Sequence, residues 1–149
     1  MTLALMSFRP VVKRWARDRT AKMAHRTNRL DFAVQVRTGE NPATIIVSVA
    51  GPLILDHLVE IQDICMSRIE PLLIFDLSQL SYLDSAAVGF LVHAYVSRVK
   101  TGKTLALCGV TGTAKKILEI AHVSALFGMY RNPEDAEAAL ISRIHPAQA

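Results

Sequence analysis

Asp84 and Ser85 stand side by side where a polar stretch gives way to a helical period. Either side-chain oxygen suits a helix start, because the first backbone N–H groups have no partner inside the helix and are met by a short polar acceptor. The turn that follows, Ala86, Ala87, Val88 and Gly89, is built of small residues, which places the Ser85 hydroxyl on a flat, accessible rim. A nucleophilic reading lacks its supports: no GxSxG turn surrounds Ser85, and His93 lies two turns along the same helix. TGKT, Thr101 to Thr104, imitates the end of a phosphate-binding loop, but Ser97 occupies the position of the required glycine. It also follows a helix and precedes a strand, the reverse of the order that lets a helix start cradle phosphate. GVTGTAKK, Gly109 to Lys116, has the right order and the wrong spacing, so capping is its reading. The five histidines, at 25, 57, 93, 122 and 145, include no i, i+4 pair that would set two metal ligands on one helix face. These residues assemble no catalytic set, and no enzyme, cofactor or metal is expected.

The elements that must position Ser85 follow from periodicity. Leu72 to Phe75 is an unbroken apolar run, as in a strand covered on both faces, and Asp76 is read as its end and as an anchor for a short polar loop. Val88, Leu91, Val92, Tyr95, Val96 and Val99 then recur at helical spacing and predict the buried face, with Ala86, Gly89, His93, Ser97 and Lys100 opposite. Upstream, Phe32, Val34 and Val36 alternate with polar residues, TGENP turns the chain, and Thr44 to Ala50 forms a second strand, giving an antiparallel hairpin closed by Gly51 and Pro52. Asp56 is placed to cap a helix bearing Leu58, Ile61, Cys65 and Ile69 and ending before Pro71. Downstream come a strand over Leu105 to Val110, a helix capped by Thr111 or Thr113 with Ala114, Ile117, Leu118 and Ala121 on one face, and an edge strand within Leu126 to Tyr130. Pro133 opens a last helix with Ala136, Leu140 and Ile144 aligned. The order β-β-α-β-α-β-α-β-α predicts an α/β fold, a mixed sheet with helices packed against it.

Charge is unevenly spread. Residues 1–30 hold eight Lys/Arg against one acid, whereas residues 31–149 hold nine against twelve. The net charge of +4 therefore describes a basic N-terminal arm on a mildly acidic body, and it does not indicate direct nucleic-acid binding. The arm, residues 1–29, reads as a solvated tail; the alternative is a basic amphipathic segment around Val11, Val12 and Trp15 with weak affinity for a membrane surface, and Met23 is an alternative start. Cys65 and Cys108 fall in apolar patterns and read as buried thiols. No stretch reaches the roughly 18 consecutive apolar residues of a membrane span, and a cytoplasmic location is expected.

The run LSYLDSAAVGF, Leu80 to Phe90, closely resembles the signature of STAS domains, and specifically of the bacterial anti-sigma factor antagonists. The opening hairpin, Gly51-Pro52-Leu53 ahead of the first helix, and the closing LFGMYRNPEDAEAAL fall where that family has theirs. The similarity covers residues 30–143, leaving the arm and a tail at 144–149 outside it. In the family, Asp-Ser is followed by Ser or Thr, Gly, an aliphatic residue and often a second Gly. Here Ala86 and Ala87 replace the second hydroxyl and the first Gly, and Val88 and Gly89 follow the pattern.

The resemblance implies a regulatory protein. It carries the family's phosphorylation site onto Ser85, and its partner surface onto Pro52, Ser81, Tyr82, Asp84, Ser85, Ala86, Val88 and Gly89. The partner implied is an anti-sigma factor that is also a serine kinase, bound when Ser85 is unmodified and released by its phosphorylation; a serine phosphatase resets the switch. A second reading, suggested by Ala86-Ala87 and the basic arm, is an accessory subunit of a transporter complex, for example for lipids, with no phosphorylation cycle.

Overall fold

A computed structural model of the chain describes residues 32–144, and the expectations for the arm and the tail beyond Ile144 lie outside them. Five strands form one sheet in the order of the chain: β1 (Ala33–Thr38), β2 (Thr44–Leu53), β3 (Leu72–Leu83), β4 (Thr104–Cys108) and β5 (Gly128–Tyr130). β1 and β2 form the expected antiparallel hairpin, and every later neighbour is parallel. Parallel pairs need crossovers, and α1 (Leu58–Ser67), α2 (Ser85–Lys100) and α3 (Gly112–Ile120) supply them. Because the strand order never reverses and such crossovers share one hand, these helices cover one face, packed over Val47, Leu73, Phe75, Leu105 and Leu107. A final helix, α4 (Pro133–Ile144), returns to the other face and sets Ala136 and Leu140 against Ile46, Leu72, Ile74 and Ala106. Covered on both sides, Leu72 to Phe75 of β3 and Leu105 to Cys108 of β4 read as unbroken apolar runs, as expected for central parallel strands.

Several expectations are corrected by pairing that no local rule reveals. Gly51 and Pro52 do not close β2; it continues to Leu53. Asp76 does not end β3, which is 12 residues long and runs on to Leu83, so Ser81 and Tyr82 sit in a strand and not in a loop. The two extensions pair with each other. The register advances from Ser48↔Asp76 to Ala50↔Gln79 and from Gly51↔Leu80 to Pro52↔Tyr82, one extra residue on β3 at each step. Such bulges accommodate a Pro that cannot donate to the ladder and a Gly51 held at φ 89°. Asp76 anchors the first bulge, its Oδ1 accepting the Ser78 N–H at 3.1 Å.

α1 starts without Asp56 as a cap: a 3-10 turn, Leu55–His57, leads into it, and neither it nor α1 has a side-chain N-cap bond. His57 is buried instead, its Nδ1 3.0 Å from the Pro52 carbonyl and its ring stacked on Phe32 at 4.0 Å. α1 ends at Ser67, leaving Ile69 outside it and 81% exposed. On α2 the buried line is Ala87, Val88, Leu91, Ala94 and Arg98, while Val96 and Val99 face solvent. The small Ala87 and Ala94 let the helix lie close to the sheet, which rotates the two valines outward. Thr111 takes the N-cap position of α3 but makes no side-chain cap bond, and Ala121 is exposed beyond the helix end. β5 is shortened to three residues by a 3-10 turn at Ser124–Leu126.

Two buried charged residues tie crossings together. Arg98 donates from Nε to the Thr104 carbonyl at 3.1 Å and from Nη2 to the Glu70 carbonyl, joining the ends of both flanking connections. Glu137 of α4 accepts the Glu40 and Asn41 N–H groups at 3.1 and 2.7 Å, closing the hairpin turn. A Cβ at Gly39 would lie 2.8 Å from that carboxylate, which is why the turn carries glycine there.

Candidate functional site

The site is assembled where β2 and β3 end together. Asp84 leaves β3 with an extended backbone (φ −93°, ψ 177°), the conformation of an N-cap residue, and its Oδ1 accepts the Ala87 N–H at 2.8 Å. Its second oxygen, Oδ2, accepts the Leu55 N–H at 3.1 Å, and its own N–H donates to the Leu53 carbonyl at 3.3 Å. One carboxylate thus fastens the turn after β2 to the start of α2. The capping role left open between Asp84 and Ser85 falls to Asp84.

Ser85 is thereby freed. It is the first residue of α2, it is exposed, and its hydroxyl makes no hydrogen bond among the described residues. The positive end of the helix dipole lies directly behind it. Gly89, one turn on, is exposed as well, with nothing within 4 Å of where a Cβ would stand. Ala86 is half-buried. On the adjoining strand end Ser81 is exposed and Tyr82 is 47% exposed.

Two of the predicted surface residues are placed elsewhere. Pro52 pairs with Tyr82 in register but is itself buried, and Val88 belongs to the core beneath α2. Both side chains are buried within the chain itself, and Pro52 lies beside Tyr82 on the neighbouring strand. Beside Asp84 lies a residue not predicted for the site, Leu55, 64% exposed and bonded through its backbone to Asp84. Sequence reasoning passed over it because a leucine beside Ile54 and ahead of a helix reads as core. The outward turn at Leu55–His57 becomes visible only when β2 is seen to run to Leu53.

The family model of the STAS domain matches residues 34–136. No curated protein sequence matches the chain. The fold is similar to that of an anti-sigma factor antagonist from Mycobacterium paratuberculosis, with 18% identity over 73% of this chain and 93% of that one and a TM-score of 0.64. It is similar to SpoIIAA of Bacillus, an anti-sigma factor antagonist, in its unphosphorylated form, with 18% identity over 76% and 97% and a TM-score of 0.62. It is also similar to the STAS domain of a SulP transporter from Vibrio cholerae, with 20% identity over 74% and 90% and a TM-score of 0.59. At these identities the structural likeness is one of fold, while the family model spans most of the sequence: this chain belongs to the STAS domain family.

Proposed function

We propose that the chain is an anti-sigma factor antagonist, a binding protein and not an enzyme, whose partner surface surrounds Ser85 and is switched by phosphorylation there. The observation that carries this reading is the exposed, unbonded Ser85 hydroxyl at the first position of α2, with capping already done by Asp84. A serine with no structural task, in the family's switch position, is available to a kinase. The exposed neighbours Leu55, Ser81, Tyr82 and Gly89 supply a shallow docking face. In this reading the partner is an anti-sigma factor that is also a serine kinase. It binds the unmodified protein in the cytoplasm and frees its sigma factor, and a phosphatase reverses the modification.

The chemistry of the switch is electrostatic. A phosphate on Ser85 adds about −1.5 to −2 charge at a helix N-terminus, which tolerates it, so the fold is preserved. A partner fitted to a neutral hydroxyl instead meets a dianion beside the Asp84 carboxylate. Burying it unpaired costs on the order of 3 kcal/mol, or about 100-fold in affinity.

A second reading, an accessory role in a transporter complex, is favoured by Ala86 and Ala87, which replace the hydroxyl and glycine usual beside the switch serine. Affinity capture from the native cell with wild type, Ser85→Ala and Ser85→Asp, identifying partners by mass spectrometry, separates the two. The switch predicts that an ATP-binding anti-sigma factor is retained by wild type and Ser85→Ala and lost by Ser85→Asp. Retention of the same transporter subunits by all three forms would overturn it.

A further inference from the structure

A cleft of about 330 Å³ opens between α1 and α2, lined among others by Cys65, Met66, Phe90 and Ala94 and, at its basic end, by Arg98 and Lys103. It involves α2 from Phe90 onward, away from Ser85, and is independent of the reading given for that residue. Its charge is opposite to that of the body around it. Residues 31–149 carry more acids than bases, yet no Asp or Glu lines the cleft, while three cations do.

The three cations are not equally occupied. Arg68 is spent on Glu70, with Nη2 2.6 Å from a carboxylate oxygen. Arg98 is 6% exposed, and its two hydrogen bonds go to neutral carbonyls. Its Nη1 makes no hydrogen bond among the described residues and is not completely sealed from solvent. Lys103 bonds only the neutral Thr101 hydroxyl, at 3.3 Å. A buried guanidinium with an unused edge is a strong recognition element for a carboxylate, because charge-assisted hydrogen bonds are about twice as strong as neutral ones. The apolar part of the wall is formed by Cys65, Met66, Ile69, Phe90 and Ala94, with Gln62, His93, Ser97 and Thr101 adding polar groups around it. Cys65 adds no competing charge, since burial pushes its thiol up to about 12.

From this arrangement we infer that the cleft between α1 and α2 binds a small amphipathic monocarboxylate, its head group on Arg98 and Lys103 and its short apolar tail against Cys65, Phe90 and Ala94. The volume lies at the low end of small-molecule pockets and suits a tail of a few carbons better than a long acyl chain.

Octanoate titrated into the isotopically labelled full chain, followed by amide NMR at fixed pH, tests this directly. Expected are saturable shifts confined to α1, α2 and the turn at Thr101–Lys103, with 1-octanol, which lacks the charge, and acetate, which lacks the tail, each binding at least tenfold more weakly. Lys103→Ala should weaken octanoate about tenfold, the loss of one charge-assisted contact. Ser97→Phe, at an exposed position on the cleft wall, should abolish binding while keeping a folded spectrum. Absence of saturable shifts in the wild type, equal binding of 1-octanol, or undiminished octanoate binding by a folded Ser97→Phe variant would overturn the inference. The octanol and acetate comparisons use the wild type alone and stand whether or not the variant folds.

Discussion

Replacing Asp84 by alanine should cost more than the loss of an ordinary helix cap, because one carboxylate does two jobs. Its Oδ1 holds the Ala87 N–H at 2.8 Å and its Oδ2 holds the Leu55 N–H at 3.1 Å, 29 residues away in the chain. An N-cap Asp is worth about 1 kcal/mol against alanine. A hydrogen bond to a charged acceptor contributes about 1.5–3 kcal/mol, with the lower end applying at this partly exposed position. Together they predict a loss of about 2–3 kcal/mol for Asp84→Ala. Asp84→Ser, which keeps only the cap, should recover about 1 kcal/mol of it, and Asp84→Asn, which keeps an acceptor but not the charge, should fall closer to wild type. Urea unfolding followed by far-UV circular dichroism measures this. With an m-value near 1.5 kcal/mol/M, the Asp84→Ala midpoint should drop by about 1–2 M. A shift below about 0.3 M, or a serine variant no more stable than the alanine variant, would refute the argument that Asp84 ties the two chain segments together.

Gly89→Ala should raise stability by about 0.5–1 kcal/mol, since the residue lies inside α2 with open space where its Cβ would go and glycine is a poor helix former. Thermal unfolding checks the sign; if the variant is stabilised yet loses its partner, the glycine belongs to the docking face, and a destabilised variant would contradict the open space. The cysteines predict an alkaline limit. Desolvation raises both thiols to about 12, with the nearby Asp76 adding to the effect at Cys108. Below about pH 9 folded and unfolded chains both keep these protons, and above it the unfolded chain loses them first. Stability should therefore fall as pH rises from 9 towards 12, by about 1.4 kcal/mol per pH unit for each thiol. Urea titrations at pH 8, 9, 10 and 11 should show a shallower fall for Cys65→Ala/Cys108→Ala, whereas parallel curves for the variant and the wild type would refute the assignment.

Features that depend on neighbours within a turn or a pleat could be read from the chain alone. The alternation at Val34 and Val36, the apolar run of Leu72 to Phe75, the Asp-Ser pair ahead of a helical period and Pro133 at a helix start were each legible, and they sufficed for the element order and the mixed sheet. The accessible Ser85 also agreed with the local pattern of an Asp-Ser pair at a helix start, whereas Ala86 and Ala87 after it are half-buried and buried. The other features depend on contacts between segments distant in the chain. Gly51, Pro52 and Asp76 read as breaks under local rules, yet two bulges in β3 absorb them, and both strands run on to deliver Leu55 and Asp84 to one another. Hydrophobicity alone placed Val96 and Val99 in the core, whereas close packing on the sheet chose Ala87 and Ala94. Arg98 was passed over because its reason for burial is two carbonyls, at Glu70 and Thr104, that come together only after both crossovers have closed. Side-chain periodicity reports which face a residue shares with its near neighbours; which backbone groups need a partner is decided by contacts distant in sequence.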